Sequence, residues 1–380
     1  MSATLEPTTK QGTDWAGVAA GIGAALEPGA AERDRLGEIS LAAFERLRAE
    51  GVTAALVPAE AGGGGASHEE AGRLLRELGR RDGATAVTLS MHMHLVAAQV
   101  WRHRHGLDAS AFFRKVAGDR LVLISTGASD WVGSSGRARP VDGGFRVSAR
   151  KWPASGCEAG HLLVTSARRE DAPGGPRVLH FAVPMTAEGV RIERTWDTLG
   201  LRATGSHTVV LEEVFVPQAA VSLERPADAW HPVWNVVLGA AMPLILAAYV
   251  GIADAAVERA VAAAKGRSDP HVLQLLGEML NAHTTAADAV DAMFRDADDL
   301  RFDATDAFAG RALARKTVAA DALVATVRLA IEATGGAGYA RGSDLERLYR
   351  DVHGCLFHPL PRARQTTFTG RAALGLSPVG

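Results

Sequence analysis

Cysteine is nearly absent. The chain of 380 residues holds two, Cys157 and Cys355. Two thiols cannot build the disulfide framework of a small secreted scaffold or a cysteine-rich metal site, so a reducing, cytoplasmic setting is expected. A charge excess is missing too. The 41 Lys and Arg face 43 Asp and Glu, for a net charge of −2. Without a long basic run there is no electrostatic footprint for nucleic acid or an anionic membrane. The opening residues, MSATLEPTTKQGTDW, lack an apolar signal core. Short catalytic signatures are also missing: there is no G-x-S-x-G elbow, no Walker loop and no H-E-x-x-H. The glycine run Gly62–Gly65 has no strand–turn–helix context and reads as a flexible loop, not a dinucleotide fingerprint.

What is present is ordinary globular material, 47% hydrophobic and 22% charged, long enough for two or three domains. One stretch reaches the lower edge of a membrane span: Val236–Ala253 runs 18 residues without a charge. Its many alanines, two glycines and Pro243, without close basic flanks, point instead to a helix buried inside a bundle.

The apolar period changes twice along the chain. Residues 1–120 read as an N-terminal helical domain. A helix is expected over Ala30–Glu50 and stopped by Gly51. A capping box, Ser67 with Glu70, opens the next, and an apolar helix covers Ala84–His105. Residues 121–228 carry short β-rich runs such as LVLIS, FRVSARKW, HLLVTSA and RVLHFAVP, split by turn signals. They suggest a compact antiparallel barrel or sandwich. Residues 229–380 return to helical spacing, with helices expected over Trp234–Lys265, His271–Leu300, Asp306–Thr334 and Asp344–Phe357. Ser343 and Glu346 have the spacing of a second capping box. The predicted class is mainly α with a central β domain, ending in a four-helix bundle.

His92 and His94 lie two apart on a helix, point to different faces and make a poor metal pair; no metal site is expected. Four stretches carry more: ISTGASDW (Ile124–Trp131), RKWPASG (Arg150–Gly156), WDTLGLRATGSHTVVLEEVFVP (Trp196–Pro217) and ATGGAGYARGSDLERLYRD (Ala333–Asp351). Small hydroxyls after a strand can meet a ligand, and Trp152 is either core or the cover of a flat aromatic ring. Together, in this order, the stretches resemble the acyl-CoA dehydrogenase superfamily. GLRATGSHTVVLEEVFVP is similar to its G-x-R-x-T-x-S signature, and GGAGYARGSDLERLYRD to its G-G-x-G-Y and R-x-Y-R-D signatures.

The resemblance implies a flavin, usually FAD, between the β domain and the bundle, in a homotetramer or homodimer. Ser125, Thr126 and Ser129 would lie in the flavin turn, the first two toward the pyrimidine side. Trp152, Ala154 and Ser155 would flank the isoalloxazine. Gly335 and Gly336 would let backbone approach the FAD phosphates of a neighbouring subunit. Three departures loosen the FAD expectation. The flavin turn is about two residues shorter than the family's, Ala154 stands where the family has Thr, and the Arg-x-x-Phe-Gly loop is replaced by KGRSDPHVLQ. FMN, supplied already reduced by a separate flavin reductase, is the alternative cofactor.

A fourth departure concerns chemistry. Acyl-CoA dehydrogenases need a carboxylate to take the α proton, yet from Val352 to the end there is no Asp or Glu, and VVLGAAMPLIL in the first bundle helix has none either. In its place stands His358, as in the superfamily's flavin-dependent monooxygenase branch. There a second His lies on an N-terminal helix, and His92 or His94 is the counterpart. Such a His can hydrogen-bond activated oxygen and pass a proton near neutral pH. The leading expectation is therefore an oxygen-using monooxygenase on a small substrate. The alternatives are a dehydrogenase of acyl-CoA or acyl-carrier thioesters with a base elsewhere, and a non-catalytic relative that binds no flavin.

Overall fold

The computed structural model describes residues 12–126 and 130–379. Six helices come first: α1 (Trp15–Leu26), α2 (Ala30–Leu36), α3 (Leu41–Ala49), α4 (His68–Arg81), α5 (Gly83–Arg104) and α6 (Ser110–Gly118). The helix expected over Ala30–Glu50 is two helices. Gly37 takes a left-handed φ of 71° after α2, and Ser40 caps α3 through the Ala43 N–H. The apolar spacing runs through this break because Leu36, at the end of α2, and Leu41, at the start of α3, continue it although both are about half exposed. Ser67 and Glu70 do form the expected capping box. The second box does not form: Ser343 accepts from the Leu345 N–H, and Glu346 turns to Arg350 instead.

The central sheet has eight strands: β1 (Leu123–Ser125), β2 (Arg137–Val141), β3 (Gly144–Lys151), β4 (Leu162–Arg169), β5 (Arg177–Pro184), β6 (Val190–Glu193), β7 (Thr208–Pro217) and β8 (Val221–Pro226). Their order is β6-β7-β3-β2-β4-β5-β8, with β1 also on β4. The sheet is mixed, not purely antiparallel, because β1 and β2 both meet β4 in parallel. Strands β2 and β8 carry Arg, Glu and Pro and so lack the β-rich composition that marked the others.

The C-terminal helices are α7 (Val233–Ala264), α8 (Pro270–Ala297), α9 (Asp306–Thr334), the short α10 (Gly336–Tyr339), α11 (Asp344–Val352) and α12 (Arg362–Ala373). Helix α11 stops at Val352, short of the expected Phe357, and a 3₁₀ turn, His353–Leu356, follows. Helix α7 is long and apolar enough to cross a membrane, but 94% of its most apolar window is buried within the protein. It packs closely on α4: a Cβ at Gly251 would stand 2.0 Å from the Arg76 carbonyl oxygen.

The signature GLRATG ties the three parts together. The Leu201 N–H donates to Asp351 Oδ1 at 2.5 Å, and Arg202 Nε donates to the Asp34 carbonyl at 3.0 Å. The Arg350 guanidinium grips the Asp34 carboxylate at 3.1 and 2.6 Å. Gly200 is required because a Cβ there would lie 2.2 Å from the Arg350 carbonyl. The Arg and Asp of Y-R-D are thus structural, each serving a different partner and neither serving the other.

Candidate active site

Strand β3 ends on a buried ammonium. Lys151 pairs with Asp130 and donates to the Ser135 carbonyl at 2.7 Å and hydroxyl at 3.0 Å. Asp130 in turn accepts the Ser135 N–H at 2.8 Å. Burial pulls the Lys151 pKa down against the opposing pull of Asp130. The pair fastens the chain at Asp130 onto the end of β3, one residue before Trp152. Asp130→Ala leaves the ammonium buried and unpaired, so a loss of about 3–5 kcal/mol of stability is expected, together with weaker flavin binding. Chemical denaturation and flavin fluorescence titration check this.

Around this anchor, Thr126 Oγ1 donates to Thr165 Oγ1 at 2.6 Å. The Ser125 hydroxyl has no partner among the described residues, and Ser129 lies outside them. Trp152 is 51% exposed, with its ring 5.9 Å from that of Trp196. Ala154 is fully buried, its N–H donating to the His207 carbonyl at 3.1 Å; its methyl meets protein, not ligand. Ser155 Oγ accepts from Ser206 at 2.8 Å, which leaves its own proton free. An indole left half exposed just after a strand end, three residues before a hydroxyl with a free proton, fits the edge of a flat, hydrogen-bonding ring system such as a flavin. Gly335 caps α9 and Gly336 opens α10, and apart from its immediate neighbours a Cβ built on either meets nothing within 4 Å among the described residues. Their open backbone touches neither Trp152 nor His358.

The histidines separate by hydrogen bonding. His92 is spent: its Nε2–H donates to the Thr53 carbonyl at 2.7 Å, and its Nδ1 accepts the Leu123 N–H at 3.0 Å. It straps α5 to β1 and to the turn Val52–Ala54, with both ring nitrogens occupied. His94 donates from Nδ1 to its own helix, to the Ser90 carbonyl at 3.2 Å, and keeps Nε2 free among the described residues. Burial pushes both rings down to about 4. In the C-terminal stretch, His353 Nδ1 donates to the Tyr349 carbonyl and stacks edge-on against that ring, finishing the helix. His358 instead meets Tyr249 of α7, with Nε2 and the phenol oxygen 2.8 Å apart.

Burial, with smaller contributions from Lys316 and His94, pushes His358 down to about 3. It is therefore a neutral imidazole at working pH. Lys316, itself lowered to about 8 by burial, holds the loop from both sides by donating to the Leu356 and Leu360 carbonyls at 3.3 and 3.2 Å. Asp351, raised to about 6 mainly by burial, is committed to Leu201 and is no substitute base. Sequence reasoning missed Tyr249, Lys316 and the Lys151–Asp130 pair. The signal for Tyr249 was there: it is the lone hydroxyl in the uncharged run Val236–Ala253.

Comparison with known proteins identifies the family. Residues 17–106 match the N-terminal domain of acyl-CoA dehydrogenase and residues 234–355 its C-terminal domain. An L-evernosamine nitrososynthase from Micromonospora is 30% identical over 97% of this chain and 92% of its own. The amino sugar nitrososynthase DnmZ of Streptomyces peucetius is 29% identical over 92% and 90%. The structure of KijD3, solved with FMN and dTDP-3-amino-2,3,6-trideoxy-4-keto-3-methyl-D-glucose, superposes with a TM-score of 0.84 at 28% identity, over 97% of this chain and 96% of that one. The chain belongs to the acyl-CoA dehydrogenase superfamily, as a flavin-dependent oxidoreductase akin to that superfamily's monooxygenases and nitrososynthases.

Proposed function

We propose that this protein is an FMN-dependent N-oxygenase of a small primary amine, with amino-sugar nucleotides the first class to test. The observation that supports the reading is the neutral His358–Tyr249 pair, on a segment that holds no Asp or Glu from Val352 to the end of the sequence. The amine class rests on the nitrososynthase relatives, and FMN on the ligand of KijD3.

A reduced flavin bound here supplies two electrons, so that one atom of O2 enters the substrate and the other leaves as water. Everything else falls to the chain. Trp152, Ser125 and Ser155 would hold the ring, the indole by its apolar face and the two serines by their hydroxyls. His358 holds a proton without carrying a charge, so it donates a hydrogen bond to the developing anionic oxygen. His94 Nε2 is an acceptor, suited to an amine N–H. The apolar length of α7 keeps water out, which limits loss of the activated oxygen.

The reading includes a cytoplasmic homotetramer or homodimer fed by a separate reductase. Support for a partner copy comes from the outward backbone at Gly335 and Gly336, which this chain leaves uncovered. The test supplies a flavin reductase, FMN and 18O2 with a panel of amino-sugar nucleotides and simple amines. An N-oxidised product carrying label from O2 is expected. Anaerobic bleaching of bound flavin by acyl-CoA thioesters, with no amine oxidised, would replace this reading with the dehydrogenase one.

A further inference from the structure

Tyr249 is wholly buried in the middle of α7, in a run with no other hydroxyl. Its phenol oxygen has one hydrogen-bonding partner among the described residues, Nε2 of His358 at 2.8 Å, and the two rings meet edge-on at 5.4 Å. The Tyr249 side chain is held in place from behind, since a Cβ at Gly354 would lie 2.5 Å from its oxygen. His358 is held in place as well, through Lys316 and the carbonyls of Leu356 and Leu360. The contact therefore joins two fixed groups.

Two proton arrangements are compatible with that distance. In one, Nε2–H donates to the phenol, and the phenol proton is left buried with no acceptor. In the other, the phenol donates to a bare Nε2, and the ring proton moves to Nδ1. The first strands the phenol proton in the core, whereas the second strands no buried donor, because its free N–H lies on the partly exposed ring of His358. The second also leaves Nδ1–H, which has no partner among the described residues, as the free edge of His358. His94 is fixed the opposite way: its Nδ1–H is used by the Ser90 carbonyl, and its free edge is the Nε2 lone pair. We propose that Tyr249 is a positioning residue whose phenol locks His358 as the Nδ1–H tautomer, making it the hydrogen-bond donor of the site opposite the acceptor His94. What the donor acts on rests on the oxygenase reading above; the tautomer itself does not.

The tautomer can be read without flavin or substrate. Protein labelled with 13C,15N-histidine is examined by magic-angle-spinning NMR, with His358 assigned by its disappearance in His358→Gln. The wild type is expected to show a protonated Nδ1 and a bare Nε2, and Tyr249→Phe a shift toward protonated Nε2. A wild-type His358 that is protonated at Nε2, or that mixes both forms, overturns the proposal whether or not the variant folds. The same tautomer in both proteins overturns it too. In the flavin-loaded enzyme, Tyr249→Phe is expected to cut product per flavin oxidised about tenfold, with peroxide released in proportion and the amine KM within about twofold. Unchanged coupling removes the positioning role. The locked tautomer in a protein that oxidises no amine would instead sink the oxygenase reading and leave the tautomer standing.

Discussion

His358→Ala is expected to lower product formation by at least about 100-fold, the usual scale for a positioned proton donor, while oxidation of reduced flavin continues. Oxygen consumed then appears as peroxide. The variant loses one bond, to Tyr249, and its loop stays fastened by Lys316, so a folded protein is expected. His94→Ala belongs with it as a weaker lesion, because its ring is held only by a bond within its own helix. His92→Ala behaves differently. It removes a strap with two backbone partners, each left unsatisfied at about 1–3 kcal/mol, so it lowers stability before it touches chemistry. Steady-state turnover with a peroxide assay, run beside thermal melts, separates the three. A His92 variant that melts normally and fails only in turnover would reverse the assignment.

Acid should unfold this protein early. His68, His92 and His94 are all buried and all pushed down to about 4 by burial. In the unfolded chain they titrate near 6.5, so below that pH the unfolded state binds protons that the fold refuses. The folded pKa is the depressed one. The stability contribution is therefore complete above about 6.5 and is lost as pH falls toward 4. Each group costs about 1.4 kcal/mol per pH unit once its unfolded form is protonated, hence about 4 kcal/mol for the three between pH 6 and 5. His180 and His358, both near 3, add to the same side. Asp351 works against them: burial raises it to about 6, so its contribution weakens as pH rises through the same window. One opposing group does not cancel five. A melting temperature that falls by several degrees from pH 6 to pH 5 is expected, and a flat profile would show that these rings accept protons without unfolding.

The parts of the site differ in how far the sequence disclosed them. The order of helical, β and helical segments was legible because each apolar period is long and the signatures fall at its joints. The split at Gly37 was not, since Leu36 and Leu41 carry the apolar spacing across the left-handed turn although both are about half exposed. Strands β2 and β8 hid behind Arg, Glu and Pro, whose place in the sheet is decided by tertiary pairing. At the site, the absence of a carboxylate from Val352 onward singled out His358, which the structure sets against Tyr249. The choice between His92 and His94 could not be made from spacing alone. It depends on which ring nitrogens meet carbonyls of Thr53 and Ser90, and those contacts are tertiary or rotameric. Lys151 and Asp130 lie 21 residues apart, a separation no local pattern reports.

The claim that reduced flavin in this site is protected and handed to oxygen is tested most directly by rapid mixing. Anaerobic protein loaded with reduced FMN is mixed with oxygenated buffer, and absorbance is followed through the reaction beside His358→Ala. The account predicts a transient distinct from both reduced and oxidised flavin, persisting in the wild type and shortened in the variant. Oxidised flavin appearing at once and alike in both proteins, as it does free in solution, would contradict it.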